Sequence, residues 1–114
     1  MGLDMYVVSV DPESIISDTE LKEHSEWQEV FYWRKHYKLH AWFHDLYFHK
    51  GAHRDSEFNC SFVRVVEQDL VQLEPHLVEF SEANERTLEI DLNFMQTARD
   101  LLRIGSILYY SCSW

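Results

Sequence analysis

Glycine, proline, cysteine and basic residues are all scarce in this chain of 114 residues: three Gly, two Pro, two Cys, and 10 Lys and Arg against 20 Asp and Glu. Each scarcity excludes something. With glycine only at Gly2, Gly51 and Gly105, there is no Gly-rich loop to cradle a phosphate. Cys60 and Cys112 form no metal-ligand spacing and are expected as free thiols packed as small hydrophobes in a reducing compartment. The formal net charge of −10 argues against general nucleic-acid binding, because a phosphate backbone would be repelled. No apolar run approaches the roughly 20 residues that span a bilayer. Nor does the start of the chain carry a cationic stretch followed by an apolar one. The expectation is a cytoplasmic protein without a membrane partner, built as one domain over residues 1–114.

What is present is concentrated between Glu29 and Tyr47, EVFYWRKHYKLHAWFHDLY. Tyr32, Leu39, Trp42, Phe43 and Leu46 follow helical spacing and predict a central helix whose core face is Leu39, Trp42, Phe43 and Leu46. The preceding residues, Glu26 to Tyr32, are aromatic and β-branched with polar residues interleaved, which suits a strand. The strand is expected to hand over near Trp33 or Arg34, so that Arg34 and Lys35 open the helix. Gly51 stops it, with the end between Phe48 and Lys50.

Around this centre, Leu3 to Val10 alternates like a first strand and ends at the turn signal Asp11-Pro12. Glu13 to Glu26 is an exposed connection with at most a weak helix near Ser17. After a polar loop over Gly51 to Asn59, Cys60 to Val65 predicts a third strand with Cys60 or Phe62 facing the core. Val66, Leu70, Leu73 and Leu77 share a helical face that Pro75 interrupts. Leu88, Leu92, Met95, Ala98 and Leu102 predict a further helix that Gly105 stops, and Ser106 to Trp114 is a last strand with a docked terminal indole. The order β-β-α-β-α-α-β gives an α+β fold, a small, mainly antiparallel sheet of about four strands with helices packed on one face.

Charge is distributed unevenly. From Trp33 to Arg54 the cations Arg34, Lys35, Lys38, Lys50 and Arg54 face one acid, Asp45, so this window carries +4 and the remainder −14. The window also holds His36, His40, His44, His49 and His53. Two binding readings follow. Trp33, Arg34, Lys35, Tyr37, His40 and Trp114 could form a pocket for a small anionic, planar ligand such as a nucleotide, with Arg on the phosphate and an aromatic face on the base. Alternatively the acidic surface outside the helix binds a cationic site on a host protein. The bland alternative is that Glu29 or another carboxylate pairs with Arg34 and Lys35 and no ligand is involved.

A metal-dependent enzyme using the helix histidines is a third reading. His36, His40 and His44 recur every four residues, the spacing of HxxxH zinc pairs, but no recognisable motif supplies further ligands. They are weak candidates, and neither a metal nor another cofactor is expected. Cys60 with a histidine, or Ser111 or Ser113 near His40, would be a nucleophile pair, yet nothing in the sequence orients either, so no catalytic residue is assigned. A homodimer is left open.

Four separated patches carry a resemblance: Met1 to Tyr6 (MGLDMY), Tyr32-Trp33-Arg34-Lys35 with Leu39-His40 and Trp42-Phe43, Asn59-Cys60, and Tyr109-Tyr110-Ser111 with Trp114. Together they resemble a group of small uncharacterised proteins found in tailed-phage genomes and bacterial prophage islands. The resemblance implies a phage or prophage origin and a cytoplasmic setting, with no established activity, and favours a host- or defence-directed binding protein. Tyr37 stands where that pattern has a small polar residue, and His36 and His44 are not part of it.

Overall fold

The computed structural model describes residues 2–52 and 58–114; His53 and Arg54, the last members of the basic window, lie outside them. Its centre is β1 (Asp4–Val10), which pairs antiparallel with β4 (Trp27–Arg34) on one side and β6 (Ile107–Ser113) on the other. β5 (Phe62–Val65) adds to the far side of β6, giving the order β4-β1-β6-β5. A small hairpin, β2 (Ile15–Ser17) with β3 (Glu20–Leu21), follows a 3-10 turn at Pro12–Ser14.

The period-two alternation of β1 divides the sheet into unequal faces. Leu3, Met5 and Val7 face the main core, while Val8 and Val10 join Tyr109, Tyr6, Phe62, Ile15 and Leu21 in a smaller cluster that takes in the hairpin. The main face is covered by α1 (Tyr37–His49), α2 (Glu67–Leu73) with the short α3 (Leu77–Phe80), and α4 (Glu85–Arg103). Phe43 of α1 stacks on Tyr110 of β6 with ring centroids 4.0 Å apart and planes 8° from parallel, both side chains being fully buried. Burying a ring of that size contributes about 1.5–3 kcal/mol. The fold is therefore α+β, an antiparallel four-stranded sheet with helices on one face, and no helix among the described residues is long and apolar enough to cross a membrane.

Several local expectations are corrected. β4 runs two residues further than its composition predicts, because the ladder with β1 reaches Asp4↔Arg34 and buries Trp33 in the core. Lys35 then turns the chain in a left-handed conformation, φ +58°, while its N–H still bonds Leu3 O at 2.8 Å. Helix α1 begins only at Tyr37, so Arg34 and Lys35 precede it, and Tyr32 is an exposed strand residue. Tyr47 joins Leu39, Phe43 and Leu46 on the buried face of α1, and Trp42 is only partly buried beside them.

In β5 the register Val63↔Tyr110 points Val63 and Val65 at the helices; Cys60 is exposed and Phe62 packs on the smaller face. Leu92 is exposed on α4, where Asp91 and Phe94 are buried instead. The connection before β4 holds a hairpin rather than a weak helix. Trp114 is tied by its backbone N–H to Asn59 Oδ1 at 3.0 Å, yet its indole remains half exposed. Cys60 and Cys112 are free thiols although Cys60 N–H bonds Cys112 O at 2.7 Å, and burial pushes the Cys112 thiol up to about 12.

Candidate functional site

The turn from β4 into α1 faces the turn that opens α4, and between them lies a cavity of about 550 Å³. Tyr32, Trp33, Arg34, Lys35, His36, Tyr37 and Lys38 line one side; Phe80 to Glu82, Asn84, Thr87, Ile90 and Asp91 line the other. Both turns use left-handed residues other than glycine, Lys35 on one side and Glu82 with Ala83 on the other. Each such residue costs roughly 1–2 kcal/mol locally, so the surrounding ladder and helices must hold these shapes.

Two helices begin at this cavity, and their ends differ. Asn84 caps α4, its side-chain oxygen accepting from Thr87 N–H at 3.1 Å. Helix α1 has no side-chain cap, since the residue at that place is His36, and no acid lies in its first turn. Its first free N–H groups and the positive end of its dipole therefore face the region of Arg34, Lys35 and Lys38. Lys38 Nζ pairs with Glu82 Oε1 at 2.9 Å. Among the described residues neither Arg34 nor Lys35 has an ion-pair partner, so Glu29, the carboxylate named in the alternative reading, does not neutralise them. Gly2 borders the guanidinium: a Cβ built on it would lie 3.0 Å from an Arg34 nitrogen. Tyr32 donates its hydroxyl to Asp4 at 2.5 Å, which raises its pKa. Tyr37 is 59% exposed and presents a free aromatic face.

The floor of the cavity is a three-residue polar set that sequence patterning missed. Asp91 is fully buried, and its two oxygens accept from Trp33 Nε1 at 3.1 Å and face His36 Nε2 at 2.7 Å. Leu88, Asp91, Met95, Ala98 and Leu102 follow the 3-4 spacing of one helix face. An acid at a core position of that face was the available signal, because a buried polar residue is informative where an exposed one is not.

Of the six residues predicted to bind an anion, Trp33, Arg34, Lys35 and Tyr37 come together here, and His40 and Trp114 do not. Those two meet each other elsewhere, edge to face with centroids 5.3 Å apart. His40 Nδ1 lies 3.0 Å from the Tyr110 hydroxyl, and burial, followed by the neighbouring His44, lowers the His40 pKa. His44 stacks on Phe58. Of the three histidines spaced as possible metal ligands, His36 goes to Asp91 while His40 and His44 stack on each other and share Phe58, and among the described residues no three His, Cys, Asp or Glu side chains converge as a metal-ion set. A second cavity of about 490 Å³ beside Asp11, Glu26 and Trp27 is lined by none of the predicted residues, and its charged lining residues are the acids Asp11 and Glu26. No family model, no curated protein and no solved structure matches the chain.

Proposed function

We propose that the cavity between the starts of α1 and α4 binds a small phosphate-bearing ligand of nucleotide type. The observation that supports this reading is the pair Arg34 and Lys35, two cations without a carboxylate partner among the described residues, beside the uncapped start of a helix. An Arg fork can take two phosphate oxygens, helix N–H groups accept the same charge, and Tyr37 offers a face for a planar base. A volume of about 550 Å³ lies within the 300–1,000 Å³ usual for small-molecule sites.

The alternative, a host-protein partner held by the acidic surface, rests on net charge alone, whereas the pocket reading rests on charge, geometry and volume together. The phage or prophage origin implied by the four sequence patches stays with the proposal and adds no activity to it. Native mass spectrometry of untagged protein from cell extract tests the reading. It predicts an adduct of nucleotide mass that wild type retains and Arg34→Ala loses. An extract-derived adduct of protein mass, unaffected by Arg34→Ala, would favour the acidic surface instead.

A further inference from the structure

The polar set beneath the pocket has more organisation than binding requires. A carboxylate only accepts hydrogen bonds, so the His36 Nε2 that faces Asp91 at 2.7 Å carries a proton and donates it. In the neutral imidazole this leaves the lone pair on Nδ1. Among the described residues no buried side-chain nitrogen or oxygen lacks a partner and Nδ1 makes no bond, so Nδ1 reaches solvent, and His36 is one of the residues that line the cavity. Asp91 is itself fixed: it is fully buried, and its second oxygen is held by the Trp33 indole at 3.1 Å. An acid that sets the tautomer and direction of an imidazole, whose other nitrogen meets a cationic pocket, is the arrangement of an oriented general base.

We propose that His36 is a catalytic general base for the hydrolysis of a phosphate ester held by Arg34 and Lys35, with Asp91 as its positioning residue; this rests on the pocket reading above. His36 Nδ1 takes a proton from a water molecule as the water oxygen bonds to phosphorus. The phosphorus–oxygen bond to the leaving group breaks, and its electron pair stays with that oxygen. The leaving oxygen departs on the face opposite the attacking water and takes its proton from solvent, while His36 gives its own to solvent, so an alcohol and inorganic phosphate are formed and the imidazole returns to its starting state. Arg34 and Lys35 face the charge carried by the non-bridging oxygens, where fixed cations are most effective.

The test uses the full chain with p-nitrophenyl phosphate and, separately, a nucleoside 5′-monophosphate in ¹⁸O-enriched water. Phosphate release is followed by ³¹P NMR, and the thermal shift caused by inorganic phosphate is measured on the same samples. The expected result is phosphate carrying one ¹⁸O from wild type. His36→Gln should lower the rate by about 100-fold or more while phosphate still stabilises it. Asp91→Asn should lower kcat with little change in KM, because the amide favours the wrong tautomer. Wild type that is stabilised by phosphate but releases none, or releases it as fast in His36→Gln, overturns the hydrolysis and leaves the pocket standing. Neither stabilisation nor release overturns both.

Discussion

His36 and Asp91, 55 positions apart in sequence, meet at 2.7 Å across the start of α1 and the first half of α4. The contact ties the two helices that frame the cavity, and the Trp33 indole fixes the same carboxylate from the end of β4. Fold and site are therefore coupled at one buried acid.

Removing that acid should be costly. Asp91→Ala leaves the Trp33 N–H and the His36 N–H without an acceptor, at about 1–3 kcal/mol for each buried group. An unfolding free energy from urea denaturation that is lower by about 2–6 kcal/mol in all checks this. In a double-mutant cycle, Trp33→Phe should cost less in the Asp91→Ala background than in wild type. Additive losses would mean that the pair does not act together.

Lys35 separates stability from binding. At φ +58° its backbone suits glycine, so Lys35→Gly should hold or raise the unfolding free energy by up to about 1 kcal/mol. The same change removes one of the cavity's two cations that have no ion-pair partner among the described residues, so the thermal shift produced by a phosphate-bearing ligand should shrink. A Lys35→Gly protein that is clearly destabilised would show that the side chain has a structural task.

In the core, Phe43→Ala should cost about 3–5 kcal/mol, because the ring stacked on Tyr110 leaves a cavity that a packed sheet cannot close. Trp42→Ala should cost less, since its side chain is only partly buried at the margin of the core. Equilibrium denaturation of the two variants ranks them, and the opposite order would put the wrong face of α1 inside.

The outcome for α1 shows which parts of the molecule were legible. Leu39, Phe43 and Leu46 identify the helix and its inner face from spacing alone, and alternation with aromatic and β-branched composition identifies the four strands of the main sheet. Where α1 begins was not legible, because Trp33 and Arg34 are captured by a ladder with Met5 and Asp4 of β1, a pairing that spacing within the segment does not show. The pocket was legible as composition, in Trp33, Arg34, Lys35 and Tyr37, but its opposite wall was not. Asn84, Thr87 and Asp91 arrive there through the tertiary fold, and strand order decides where β4 ends. His40 and Trp114 share the aromatic character of the site without its location, since α1 carries His40 one turn further on, toward β6.

His40 gives a pH prediction. Its pKa is lowered in the folded chain, by burial first and His44 second, from an ordinary value near 6.5. As pH falls below that value the unfolded chain binds this proton before the folded chain does, so stability decreases down toward the lowered folded pKa. Above about 6.5 the His40 contribution is fully present. Unfolding free energies between pH 7.5 and 5 should fall less steeply for His40→Gln than for wild type. Parallel curves would show that His40 titrates alike in both states.

The central claim is that a phosphate-bearing ligand occupies the cavity, and residue-resolved NMR titration with adenosine 5′-monophosphate tests it most directly. The account predicts saturable shifts grouped at Trp33 to Lys38 and at Glu82 to Asp91, the two sides of the cavity. They should be lost in Arg34→Ala while its melting temperature stays near that of wild type, because Arg34 is exposed and has no ion-pair partner among the described residues. Shifts that do not saturate, that centre on His40 and Trp114, or that persist unchanged in Arg34→Ala would contradict it.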